Sequence, residues 1–96
     1  MSVVTIYVTA STLDEAKNIA RIIVGERLAA CANILGHVTS VFRWDGKVQE
    51  ETEVAIILKT RRDLVVTLTE RIKQIHSYDC PCITAHDIVD GHGKFL

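Results

Sequence analysis

The residues with the clearest potential for chemistry lie in one short segment near the end of the chain, which reads HSYDCPC from His76 to Cys82. Cys80 and Cys82 lie on the same side of this segment if it is extended, because side chains alternate with a period of two. Thiolate and imidazole are soft ligands that suit Cu(I) or Zn(II), so His76, Cys80 and Cys82 form a candidate metal site. The alternative is that the thiols belong to a loop and a core strand, with His76 as the cap of a helix.

A second group of candidate ligands is acidic and comprises Asp45, Glu50, Glu51 and Glu53. Carboxylates attract hard divalent ions where several oxygens converge on one point. The alternative is a charged strand edge that prevents wrong pairing, and we favour it for a single copy of the chain.

We find no Ser-His-Asp or Cys-His spacing typical of nucleophilic catalysis and no glycine loop that suits a nucleotide, so we expect no enzymatic activity.

Apolar periodicity predicts that these residues are held by six elements in the order β-α-β-β-α-β. The expected elements are strands over residues 3–9, 29–44, 47–60 and 82–89, a helix that follows Thr12, and a helix that has Thr60 as its N-cap and ends near residue 75. Thr12 and Glu15 have the spacing of a capping box, in which the glutamate reaches back to the Thr12 amide. Two right-handed β-α-β units that share a hairpin give a four-stranded antiparallel sheet with both helices on one face. The predicted fold class is therefore α+β, a ferredoxin-like β-α-β-β-α-β sandwich in a single domain over residues 1–96.

An extended β-hairpin is the most distinctive predicted feature. Asp45-Gly46 between two extended segments indicates a two-residue turn, with Trp44 paired to Lys47. Gly36 interrupts the first of these segments and indicates a β-bulge. The hairpin is much longer than two usual strands of ~5–6 residues, so its far half projects beyond the helices, with Phe42 and Trp44 on one face. An isolated ribbon of two strands is marginally stable and has unpaired edges, so we expect it to pair with a neighbouring subunit in a closed homotrimer. The alternative is a mobile arm.

The composition excludes several classes of partner. The chain has 96 residues, with 11 basic and 12 acidic side chains and a formal net charge of −1, which gives no concentrated positive surface for nucleic acid. Its longest purely apolar run, residues 54–58, is far shorter than the ~20 residues that span a bilayer, and no secretion signal is visible. Three cysteines are too few for a disulfide framework, so we expect free thiols in the cytoplasm, with no nucleic-acid or membrane partner.

Four segments carry a resemblance to a known family. They read ERLAACAN over residues 26–33, WDGK over 44–47, EVAIILKT over 53–60 and HSYDCP over 76–81. In this order and spacing the chain resembles the CutA family of divalent-cation tolerance proteins over nearly its whole length. The resemblance implies ferredoxin-like protomers with long hairpins, tight homotrimers, a cytoplasmic location and tolerance to copper and other divalent ions. It implies no established enzymatic reaction, and the architecture is similar to that of the trimeric PII signalling proteins.

The resemblance also implies a ligand pocket at the clefts between subunits, lined by Lys59 and Tyr78 with Trp44 of a neighbour.

The chain departs from the family in four places. Ser77 stands in place of a proline, Cys82 in place of an acidic residue, and Val8 where members proposed to hold copper have a cysteine. The customary C-terminal helix is cut at Leu96, which predicts a shortened chain or a weaker trimer cap. We therefore predict a non-enzymatic homotrimer linked to divalent-cation tolerance, with weak or conditional binding of copper or another divalent metal. The alternative is a PII-like sensor or scaffold that contacts a protein partner.

Overall fold

The computed structural model describes residues 2–96. The elements are β1 (Val3–Ala10), α1 (Leu13–Gly25), β2 (Cys31–Trp44), β3 (Lys47–Arg61), α2 (Val65–Ile75) and β4 (Ile83–Asp87), with a single 3-10 turn at Arg62–Leu64. The four strands form one antiparallel sheet in the order β2-β3-β1-β4. The predicted α+β class, with one four-stranded sheet and two helices, is confirmed.

One face of the sheet forms the core with both helices. On β1 the alternate residues Val4, Ile6 and Val8 are buried, because the period of two directs them to the same side. The helices cover that side with buried apolar residues at steps of three and four, namely Ala16, Ile19 and Ile23 from α1 and Leu68 and Ile72 from α2. Each fully buried Val, Leu or Ile contributes roughly 1.5–3 kcal/mol of transfer free energy, so this layer holds the sheet and helices together.

The hairpin turn has the conformation that the sequence predicts. Asp45 and Gly46 both have positive φ, at 53° and 76°, and Trp44 pairs with Lys47. The predicted bulge is also present, since the pairing steps from Ile34 to Gly36 and leaves one residue of β2 without a partner. Gly36 has a φ of 91°, which a glycine adopts without steric cost.

Beyond Val54, β3 no longer pairs with β1, so residues 38–53 form a two-stranded projection that we call the ribbon. Three large apolar side chains on the ribbon are mostly exposed: Val41 at 62 %, Trp44 at 65 % and Val48 at 67 %. The ribbon makes the molecule long, at 44 × 25 × 23 Å.

The ends of several elements differ from the sequence prediction; β2 begins at Cys31 and not at residue 29, and β4 ends at Asp87 and not at residue 89. Thr60 was expected as the cap of the second helix, but it belongs to β3 and its hydroxyl donates to the Leu28 carbonyl oxygen at 2.7 Å. The helix instead begins at Val65 after the 3-10 turn, with no side-chain cap. Cys82 was expected to begin the last strand, but β4 starts one residue later and Cys82 is exposed.

Over residues 2–96, no helix is both long enough and apolar enough to cross a membrane.

Candidate functional site

His76 is buried where the end of α2 meets the end of β1, and its side chain is 0 % exposed. Its Nε2 lies 2.8 Å from the Thr9 carbonyl oxygen, and a carbonyl only accepts, so Nε2 must carry the hydrogen. Its Nδ1 accepts a hydrogen bond of 3.0 Å from the backbone N–H of Tyr78. Both nitrogens of the neutral ring are therefore occupied, and neither offers a lone pair to a metal ion.

The predicted metal site is not assembled within one chain. Cys80 and Cys82 are exposed free thiols, and across residues 2–96 no group of three or more His, Cys, Asp or Glu side chains is arranged to hold a metal ion. The alternative reading of His76, as a residue that ends the second helix, agrees with its position directly after α2. The two thiols remain candidate soft ligands.

Glu15 links the start of α1 to the loop after α2. Its carboxylate accepts the backbone N–H and hydroxyl of Ser11 at 2.9 and 2.8 Å, and the same two groups of Ser77 at 2.8 and 3.0 Å. Burial raises the pKa of Glu15, but these four hydrogen bonds outweigh it and lower the pKa to about 2. The capping box is only half formed, because Glu15 N–H donates to Thr12 Oγ1 at 3.1 Å while the carboxylate binds Ser11 and Ser77. We name these contacts of Glu15 the clasp.

Tyr78 connects the same region to the base of the ribbon. Its hydroxyl donates to Glu53 Oε2 at 2.8 Å, and its ring packs against His76 with 4.6 Å between centroids. Burial raises the pKa of Tyr78, and the hydrogen bond to Glu53 and the negative charges of Glu53, Glu51 and Glu15 raise it further. Glu53 is only 8 % exposed, so it acts as a hydrogen-bond acceptor inside the fold rather than as a free carboxylate on the strand edge.

The residues of the predicted subunit-cleft pocket lie far apart within one chain. Tyr78 is hydrogen-bonded to Glu53 on β3. Lys59 lies six positions further along the same strand, at a distance of about 20 Å from Glu53. Trp44 lies at the tip of the ribbon, opposite Lys47. A pocket that joins Trp44, Lys59 and Tyr78 must therefore draw them from different chains, and it stays a prediction.

Lys59 instead lines a cavity of about 640 Å³ at the opposite end of the sheet. Its Nζ donates to Asn33 Oδ1 at 2.7 Å and lies 5.8 Å from the centre of the Phe95 ring. Sequence reasoning missed this cavity because its walls come from five separate parts of the chain. The one available signal was the hairpin register, which places Cys31 beside Lys59.

The comparisons with known proteins match this architecture. The family described as CutA1 divalent ion tolerance protein matches residues 4–96. "Divalent-cation tolerance protein CutA" of Archaeoglobus fulgidus is 43% identical, over 95% of this chain and 88% of that protein. "Protein CutA, chloroplastic" of Arabidopsis thaliana is 42% identical over 97% of this chain but 51% of its own length. The chain thus spans about half the length of that plant relative and of similar relatives from rice and mouse.

Solved structures agree with the sequence relatives. The crystal structure of CutA1 from Oryza sativa superposes with a TM-score of 0.97 at 41% identity, covering 100% of this chain and 88% of that one. The divalent cation tolerance protein of Thermus thermophilus gives a TM-score of 0.95 at 36% identity, covering 97% and 90%. The family match, the sequence identity and the shared fold together lead to one conclusion: this chain belongs to the CutA1 divalent ion tolerance protein family.

Proposed function

We propose that this chain forms a homotrimer that supports tolerance to divalent cations, and that it acts by binding metal rather than by catalysing a reaction. The observation that carries the trimer is the ribbon, which pairs with nothing but itself. Val41 and Val48 are exposed on one face of the ribbon and Trp44 on the other, so both faces offer apolar contacts to neighbouring copies. Two strands alone are marginally stable, so contacts between copies supply the missing stabilisation, and a closed ring satisfies every copy equally.

The native mass tests the assembly directly. We expect sedimentation or light scattering to give three times the 10.7 kDa of one chain. Trp44→Glu keeps an attractive cross-strand pair with Lys47, so it preserves the ribbon but places a charge on the proposed contact, and we expect it to release smaller species. Val66→Glu is the matched control, because Val66 is 76 % exposed on α2, away from the ribbon. A folded wild-type monomer at micromolar concentration would refute the proposal.

The metal-binding part of the proposal rests on Cys80 and Cys82. They are exposed free thiols two residues apart, and thiolate pairs favour Cu(I) and other soft ions. We expect titrations of the reduced protein, with Cu(I) under anaerobic conditions and with the divalent ion Zn(II), to show one bound ion per chain. The double variant Cys80→Ser, Cys82→Ser should lose it, whereas Cys31→Ser on β2 should retain it. Binding that survives in the double variant would place the metal elsewhere.

The second candidate function is a trimeric sensor or scaffold similar to the PII proteins, with a ligand in the cleft between subunits. In this alternative Trp44, Lys59 and Tyr78 come from different chains, because Lys59 lies about 20 Å along β3 from the Glu53 that binds Tyr78. No Cu(I) binding above that of a thiol-blocked control would favour this alternative.

We also propose a cytoplasmic location for the chain; two relatives are named chloroplastic and periplasmic, and fractionation of the native host cells tests the proposal.

A further inference from the structure

We propose that the cavity beside Lys59 binds a small amphipathic carboxylate, meaning a single anionic head on an aliphatic or aromatic body. The cavity has a volume of about 640 Å³, which is in the range of small-molecule sites. It lies between the end of α1, the starts of β1 and β2, the end of β3 and the C-terminal residues. It is far from the ribbon and from the thiols of Cys80 and Cys82, so it is a different site from that of the proposed metal, although it shares Lys59 with the subunit-cleft pocket of the second candidate function.

The charged side chains that line this cavity are all cationic. Arg27, Lys59 and Arg61 contribute to its wall, and no Asp or Glu side chain does. The Arg61 guanidinium is already occupied, because its Nε donates to Asp63 Oδ1 at 3.1 Å. Within residues 2–96, no carboxylate lies within 4.0 Å of the charged nitrogens of Arg27 or Lys59. Two cations beside an apolar cavity therefore lack a counter-charge that an anionic ligand would provide.

The remaining residues of the cavity wall favour an apolar body for the ligand. This part of the wall is mainly aliphatic and includes Val3, Val24, Ala29, Leu64, Ile88 and Leu96. Such a surface gains free energy by burying hydrocarbon and offers few partners to a sugar or another polar group.

The helix that borders the cavity disfavours a polyanion. α1 approaches with its C-terminal end, at Val24, and Arg27 follows just beyond the helix. This end of a helix carries partial negative charge. Phosphate groups are bound at the opposite end of helices, where free N–H groups point outward. A single carboxylate near Lys59 and Arg27 satisfies both cations without placing several charges against the helix end. The expected ligand class is thus a monocarboxylate rather than a nucleotide.

Octanoate is a suitable probe, and octanamide is its neutral control of the same length. We expect calorimetry on the full chain, below the concentration at which octanoate forms micelles, to show saturable binding of one octanoate per chain. Octanamide should bind at least about tenfold more weakly, because the cations contribute most strongly to an ionised head. Amide NMR shifts should concentrate at Ala30, Cys31 and Thr60, which line the cavity.

Charge-removing variants locate the head of the ligand. Lys59→Gln and Arg27→Gln should each weaken octanoate binding about five- to tenfold and leave octanamide unchanged. Lys17→Gln removes the same charge from an exposed position on α1 outside the cavity, and it should leave both affinities unchanged. Folding of each variant is verified by circular dichroism, and either cavity variant suffices if the other fails to fold.

Three results would overturn the proposal. They are the absence of saturable octanoate binding, equal affinity for octanoate and octanamide, and an equal response of the cavity variants and Lys17→Gln. A second copy of the chain seated in the cavity would produce the first of these. These three results do not depend on the native mass or on metal binding, so the experiments test this proposal independently of the proposed function.

Discussion

The polar residues around the end of α2 satisfy one another's hydrogen-bonding groups. His76 uses both ring nitrogens on backbone groups, Tyr78 donates to Glu53, and Glu15 accepts four hydrogen bonds. Within the described chain no buried side-chain nitrogen or oxygen lacks a partner. Because unpaired buried polar groups are costly, this region stabilises the fold and fixes the position of the loop that carries the two thiols.

Glu15→Gln tests the contribution of the clasp. The folded-state pKa of Glu15 is about 2 and lies below its ordinary value of 4.5, so the carboxylate stabilises the fold above pH 4.5. This contribution is lost as the pH falls from 4.5 through about 2. We expect the substitution to lower the free energy of unfolding by about 2 kcal/mol at pH 7, with a smaller effect at pH 3. Urea unfolding at fixed protein concentration measures both values.

The matched control for Glu15 is Glu70→Gln. Glu70 is exposed and contacts only Lys73, at 3.4 Å, so the cost at pH 7 should stay below about 0.5 kcal/mol. If both variants lose the same stability, or if the Glu15 effect does not shrink with acid, the clasp does not contribute as described.

Tyr78→Phe tests the second buried contact. Removing the hydroxyl leaves Glu53 Oε2 without its donor in a residue that is 8 % exposed, which should cost about 1–3 kcal/mol of unfolding free energy. Tyr7→Phe is the control, since Tyr7 is a half-buried tyrosine on β1 whose hydroxyl makes no hydrogen bond to any described residue. Thermal or urea unfolding measures the difference, and equal losses in the two variants would contradict it.

At the scale of elements, the most reliable sequence signals are local. The hairpin turn, its register and the bulge all follow from residues that are neighbours in the chain, and each is present in the structure. The cap expected at Thr60 is wrong because a distant group, the Leu28 carbonyl, uses the hydroxyl instead. Contacts of this kind join residues far apart in the chain, and a single sequence does not reveal which polar groups meet.

Two glycines provide a matched test of backbone conformation. Gly46 has a φ of 76° in the hairpin turn, so Gly46→Ala should lower the unfolding free energy by about 1 kcal/mol. Gly25 ends α1 with an ordinary negative φ and open space around it, so Gly25→Ala should leave stability unchanged or raise it by up to about 1 kcal/mol. Denaturant unfolding of both variants measures the contrast, and a loss at Gly25 equal to that at Gly46 would disprove it.

At the scale of the whole molecule, the two ends of the sheet differ in chemistry. The end near His76 is filled by internal hydrogen bonds, whereas the end near Lys59 holds an open cavity with cations. The sequence predicts the fold class and the projecting hairpin, because strand periodicity and length are visible in it. It does not reveal the contacts that build either end. The sequence does not show that Thr9 lies beside His76 and occupies one of its ring nitrogens. It also does not show that five separate segments meet beside Lys59 and form a cavity.

The bulge at Gly36 changes the direction of the hairpin without changing the pairing register of its two strands. Since Ile34 pairs with Ile56 and Gly36 with Ala55, removing Leu35 would keep every cross-strand partner. It would also remove the bend and extra twist that a bulge introduces. The inserted Leu35 therefore sets the direction of the far end of the hairpin. A variant without Leu35 would keep the same strand pairing, but its hairpin would project in a different direction and contact a different neighbour.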